Sequence, residues 1–150
     1  MIFHSNVLRY SHLFLGVADK EESMTGREFE RLMEHKLSEH GYWVHRMAES
    51  NTGSQPFDII ALKGHGVYAF DCKVISTKRP YFPFSRIEEN QKRAFEKMQD
   101  CYRGMLLCGF LIYFEDDVYL LDYEIAKKWM EEGKKGIALT EGFKIDSWEE

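Results

Sequence analysis

Two strand-forming runs joined by a four-residue turn constrain this chain more than any other feature in it. Residues 56–62 (PFDIIAL) and 67–74 (VYAFDCKV) are rich in β-branched and aromatic side chains, and Lys63-Gly64-His65-Gly66 between them has tight-turn composition. With the turn centred on Gly64-His65, Leu62 faces Val67, Ile60 faces Ala69 and Asp58 faces Asp71. Residues directly opposite in an antiparallel pair hold their β-carbons about 5 Å apart. Strand period two also puts Asp71 and Lys73 on one face and Cys72 on the other. The hairpin thus gathers Asp58, Asp71 and Lys73 into one cluster.

Two opposed carboxylates repel, and a divalent cation removes that penalty. A site of hard oxygen ligands with open positions suits Mg²⁺. A neighbouring lysine can hold or deprotonate a water and counter the charge of a phosphate. The plain structural alternative is an ion-pair trio in which Lys73 serves both acids. Against it, Asp58 and Asp71 stand in otherwise apolar strands. A register slip of one residue would undo the geometry.

The elements around the hairpin follow from period and caps. Thr25-Gly26-Arg27-Glu28 has the capping-box form, with Phe29, Leu32, Met33 and Leu37 at helical spacing and Gly41 as the stop. Residues 42–48 read as a strand and 49–55 as a loop, in which Ser50, Asn51 and Ser54 could touch a phosphate. Residues 75–84 read as a loop held by Pro80 and Pro83, and Ser85-Arg86-Ile87-Glu88 as a second capping box opening a helix to about Tyr102. Residues 104–114 (GMLLCGFLIYF) form a near-continuous apolar run, as in a strand buried on both faces. A strand at 118–122 and a helix at 123–132 close the series. The order α-β-β-β-α-β-β-α implies an α/β fold, a central mixed sheet flanked by helices. One domain over 1–150 is expected, with its core at about 25–122 and flanking extensions at 1–24 and 123–150. The stretch 7–17 is apolar enough to pack but has no clear period.

Composition narrows the class. With 44% hydrophobic and 30% charged residues the chain is globular, and no apolar run approaches the roughly 18 residues of a membrane span. No secretion-type start is visible, and the three cysteines have no metal-type spacing, so reduced thiols in a cytoplasmic protein are expected. The six histidines are scattered, and no structural zinc site is expected. The net charge of −5 argues mildly against nucleic acid, but its distribution does not. Residues 73–97 carry +4, with aromatics interleaved, whereas 115–150 carry −6.

Pro56-Phe57-Asp58 followed by Asp71-Cys72-Lys73 resembles the PD-(D/E)XK nuclease signature, with one residue inserted between the proline and the acid. Gly26, Glu30 and the stretch Leu37 to Gly41-Tyr42 look like the first helix of archaeal Holliday junction resolvases. Tyr81-Phe82-Pro83-Phe84 and then Asn90-Gln91 resemble the segment after the lysine in RecU-type resolvases. The likeness spans about residues 25–122, and it implies a restriction-endonuclease-like domain. It also implies a Mg²⁺-dependent endonuclease, with Mn²⁺ able to substitute, that cuts branched DNA as a homodimer in recombination and repair. By the same resemblance Asp58 and Asp71 ligate metal, Glu30 supports the metal or its water, Lys73 orients the nucleophile, and Gln91 lies nearby at a helix start. One departure stands out: the long stalk of RecU-type proteins is replaced here by residues 49–55 alone.

Arg27, Lys78, Arg79, Arg86 and Arg93 are the candidate DNA contacts, since phosphates must be held beside the active-site strand. Tyr81, Phe82 and Phe84 are either core or a stacking surface for bases, with core expected for at least one. A compact enzyme of bacterial, phage or mobile-element origin fits this reading. The alternatives are an endonuclease for ordinary or nicked duplex DNA, and a nuclease-fold DNA-binding protein that does not cut.

Overall fold

The structure is a computed structural model that describes residues 9–10, 23–48 and 55–139. The expectations for 7–17, for His4 and His12, and for Ser50, Asn51 and Ser54 therefore lie outside the described residues, apart from the pair 9–10. A six-stranded mixed sheet organises the chain, in the order β1-β7-β6-β4-β3-β2. Its strands are β1 (Arg9–Tyr10), β2 (Trp43–Arg46), β3 (Ile59–Lys63), β4 (Gly66–Val74), β6 (Met105–Phe114) and β7 (Asp117–Asp122). A second pair, β5 (Tyr81–Pro83) and β8 (Gly136–Ala138), lies apart from it. Among the described residues three helices, α1 (Gly26–Glu39), α2 (Glu89–Cys101) and α3 (Tyr123–Glu131), complete the fold. Only β4 and β6 run parallel, and α2 lies in the crossover between them. The α/β class and the mixed sheet are as the sequence implies. No helix among the described residues is long and apolar enough to cross a membrane.

Each face of the sheet has its own core. On one side α1 presses Phe29, Met33 and Leu37 against Ile59, Phe70, Leu111 and Leu120. On the other, α2 and α3 bring Phe95, Tyr123 and Ala126 against Ala69, Cys108, Phe110, Ile112 and Leu121. The central strand β6 feeds both clusters, which is why its sequence is apolar without alternation. At Gly109 a β-carbon would lie 2.4 Å from the Leu121 carbonyl oxygen, so β6 and β7 can approach as they do only with glycine there. Phe95 is fully buried, with its ring centroid 5.6 Å from Phe110 and 5.5 Å from Tyr123. Burial of such a ring stabilises the fold by about 2 kcal/mol.

The helix signals divide. Thr25 caps α1 as expected: its hydroxyl accepts from the Glu28 amide at 3.2 Å and Glu28 answers to the Thr25 amide at 3.3 Å. Ser85 does not cap α2. Residues Phe84–Arg86 form a separate 3-10 turn, the chain extends again at Ile87, and α2 starts at Glu89 with Glu88 as its cap. The reason is burial: Phe84 and Ile87 are both sunk in the core, and a helix running through from Ser85 would not seat both. The loop expected at 75–84 contains strand β5, whose partner β8 lies beyond α3. The packed core likewise continues past Asp122 into Tyr123, Ala126, Ile137 and Leu139.

Candidate active site

Register places the acids. The β3–β4 ladder pairs Leu62 with Val67, Ile60 with Ala69 and Ile59 with Phe70. The Asp58 amide donates to the carbonyl of Phe70, at 3.0 Å, and not to Asp71, so the regular ladder ends at Ile59 and Asp58 enters by a bulge-like step instead of the direct opposition to Asp71 that the hairpin arithmetic predicts. Three further contacts fix that entry. The Met47 amide donates to the Asp58 carbonyl at 2.8 Å, Asn90 donates from its side chain to the Gln55 carbonyl at 3.1 Å, and the Phe57 ring stacks on Phe95. Asp58 is thus held by β2, β4 and α2 together.

The side chains then converge. Asp58 Oδ2 accepts from the Cys72 amide at 2.7 Å, and the Asp58 carboxyl also hydrogen-bonds that of Asp71. Lys73 Nζ stands 3.0 Å from Asp71 Oδ2, with both side chains nearly buried. Burial above all, and then the charge of Asp58, push the Asp71 carboxyl up from 3.8 to about 7, although Lys73 pulls the other way. The trio is not the symmetric ion-pair cluster of the plain alternative. Lys73 pairs with Asp71, while Asp58 is held by a backbone amide.

Cys72 points to the opposite face, among the α1 cluster. Its thiol is pushed up by burial, then by Asp58, Asp71 and Glu30, with Lys73 opposing. All four charged residues singled out in the sequence therefore lie near enough to act on one partly buried thiol. Glu30 approaches from α1, which packs on the far face from Asp71 and Lys73. Among the described residues no group of three or more His, Cys, Asp or Glu is close enough to hold a metal, so Glu30 does not close a three-acid cage with Asp58 and Asp71. It lines a cleft of about 410 Å³ with Arg27, Arg31, Arg46 and Met47. Arg31 and Arg46 escaped the sequence reading. The i, i+4 spacing of Arg27 and Arg31 on a capped helix was the available signal, but nothing local joins them to Arg46.

Gln91 is buried at the third position of α2, where its Oε1 accepts from the Glu88 amide at 3.2 Å. The candidate DNA contacts are all exposed but do not form one patch. Arg27 belongs to the Glu30 cleft. Arg79 and Arg86 line a second groove, and Arg86 donates to the Val74 carbonyl at 2.8 Å, one residue beyond Lys73. Lys78 lies in the loop beside Arg79, and Arg93 on α2. Of the three aromatics, Phe82 and Phe84 are core and Tyr81 is half-buried.

The sequence model of the family described as archaeal Holliday junction resolvase (Hjc) matches residues 21–98, just over half of the chain. The chain belongs to the archaeal Holliday junction resolvase family. The match takes in Glu30, Asp58, Asp71, Lys73 and Gln91. Among solved structures the chain is similar to Hjc of Archaeoglobus fulgidus, a Holliday junction resolvase from an archaeal hyperthermophile. The two share 17% identity with a TM-score of 0.43, over 67% of this chain and 99% of that one. No curated protein matches the chain.

Proposed function

We propose that this resolvase-family protein is a Mg²⁺-dependent, structure-selective endonuclease that hydrolyses phosphodiester bonds in branched DNA, in the cytoplasm and as a homodimer. The observation that carries the reading is the meeting of Asp58, Asp71 and Lys73 at the end of one hairpin. The donor set fits a hard cation: two carboxylates lie near enough for Asp58 to raise the proton affinity of Asp71, both offer oxygen, and the one nearby thiol faces the other side of the sheet. Asp58 and Asp71 would hold the ion, and Glu30, which does not join them as a third acid, would act only through a bound water from α1. When bound, a divalent ion supplies a Lewis acid for the phosphate and lowers the pKa of its water.

The remaining roles belong to the chain. Lys73, fixed by Asp71 at 3.0 Å, orients the attacking water and counters charge on the phosphate. Gln91 is a positioning residue: it seats the first turn of α2, whose Asn90 anchors the approach to Asp58. Arg27, Arg79, Arg86, Lys78 and Arg93 hold phosphates on the flanks, and Arg31 and Arg46 join Arg27 around Glu30. The test is cleavage of a four-way junction, a fork, a nicked duplex and a linear duplex side by side, with and without Mg²⁺. Mg²⁺-dependent cutting that favours the junction is expected. Equal cutting of linear duplex would remove the structure selectivity, and binding without cutting at any Mg²⁺ concentration would leave a non-cutting DNA-binding protein.

A further inference from the structure

Beyond Lys73 the chain leaves β4 and folds a groove of about 500 Å³ whose lining includes Val74, Thr77, Arg79, Tyr81, Pro83 and Arg86. None of the described residues lining it is acidic, and neither arginine forms an ion pair with a described acid. The Arg79 guanidinium lies over the Tyr81 ring, 4.6 Å from its centroid. The platform is fixed from several sides. The Tyr81 amide donates to the Arg79 carbonyl at 2.8 Å, the Leu139 amide to the Pro80 carbonyl at 2.9 Å, and β5 pairs with β8. The ring lies so close over Gly136 that a β-carbon there would sit 2.3 Å from the Tyr81 hydroxyl. Arg86 closes the groove toward the site through its bond to the Val74 carbonyl.

A rigid, cationic groove continuous with the catalytic strand suits a nucleic-acid strand leaving that site. The Arg79 guanidinium over the Tyr81 ring adds something a phosphate track does not need. Guanidinium planes and aromatic rings are the surfaces on which unpaired bases stack. We propose that the Arg79–Tyr81 pair stacks an unpaired nucleotide of the strand that passes Asp58, Asp71 and Lys73. The groove would then select branch points, where bases are free to leave the duplex, over continuous duplex. This inference rests on the nuclease reading, and it names the substrate feature that the site recognises.

The experiment uses the full chain in EDTA with a fork that carries 2-aminopurine at the unpaired nucleotide next to the branch, and a continuous duplex as its control. Binding should quench the fluorescence of the fork probe and leave the duplex probe unchanged. Tyr81→Ala and Arg79→Ala should lose the quenching and about tenfold of the preference for the fork. Tyr81→Phe keeps the ring and should behave as the parent. Arg79→Lys keeps the charge but loses the plane, so duplex affinity should hold while the quenching goes. Arg79 is exposed, so its variants carry the test even if Tyr81→Ala unfolds. Quenching by Arg79→Lys equal to the parent, or arginine variants that change only the salt dependence, would overturn the stacking platform and leave a plain phosphate groove. A parent that binds neither DNA would instead bring down the nuclease reading itself.

Discussion

Asp71→Asn removes a charge that the fold of the metal-free protein holds at a cost. The carboxyl titrates near 7 in the folded chain against 3.8 when free, chiefly because it is buried. Between those values the folded protein keeps a proton that the unfolded chain has released, so the stability of the metal-free protein falls as pH rises through that window. At about 1.4 kcal/mol per pH unit the whole window amounts to about 4 kcal/mol. Asparagine does not titrate, and its amide can donate to Asp58 much as the protonated carboxyl does. The ion pair with Lys73 forms only where Asp71 is ionised, so its loss is already contained in the shifted value and is not counted again. The measurement is urea unfolding of parent and variant in EDTA, near pH 5.5 and near pH 8.5. The advantage of the variant should be larger at the higher pH by about 2 kcal/mol, or about 1 M in urea midpoint. A variant whose relative stability is the same at both pH values would refute the reasoning, because Asp71 would then not titrate between them. Added Mg²⁺ should reverse the order at high pH by stabilising the parent alone.

In cleavage assays, Asp71→Asn should abolish cutting of a junction while gel-shift affinity survives or tightens, because one repulsive charge near the phosphates is gone. Lys73→Ala should also stop cutting, with somewhat weaker binding, and parent-level cleavage by either variant would remove the cluster from the mechanism. Reversing Arg79 and Arg86 together to Glu should weaken DNA binding at low salt and flatten its dependence on salt concentration; a salt titration matching the parent would make these arginines mere surface charge. Phe95→Ala should cost about 3–5 kcal/mol in chemical unfolding. It should also release Phe57, so the fraction of activity lost should exceed the fraction unfolded.

The hairpin was legible because its information is local. A turn of fixed length sets the register as far as Ile59 and Phe70, and period two sets the face shared by Asp71 and Lys73, so the sequence brings Asp58 to the neighbourhood of the pair but not the irregular step by which it enters. The α1 cap was legible for the same reason, since Thr25 and Glu28 satisfy each other within one turn. Ser85 failed because the same local pattern competed with burial of Phe84 and Ile87, and burial of two apolar side chains outweighs one capping bond of about 1 kcal/mol. β5 was invisible because its partner β8 comes more than fifty residues later, and three residues carry no period of their own. Glu30 was identified through likeness, and only the packing of α1 reveals that it stands on the far face, in a cleft with Arg27, Arg31 and Arg46, without joining Asp58 and Asp71.

The motif residues are close in sequence, but their chemistry is set from a distance. Asp71 pairs with Phe110 and Lys73 with Ile112 across the parallel β4–β6 register, and β6 lies wholly beyond the stretch 21–98 that the family match covers. Phe110 in turn packs on Phe82 and Phe95. Desolvation is the largest influence on the Asp71 carboxyl, so the side chains that exclude water from it matter more than the charges beside it. If Asp71 holds a metal as proposed, that carboxyl must give up its proton to do so. The apolar residues of β6 and α2 therefore help to set the pH at which the site can be loaded, although none of them bears a functional group. Two chains with identical Asp58, Asp71 and Lys73 but differently packed β6 strands would thus work at different pH, which is why the motif alone does not fix the enzyme's operating range.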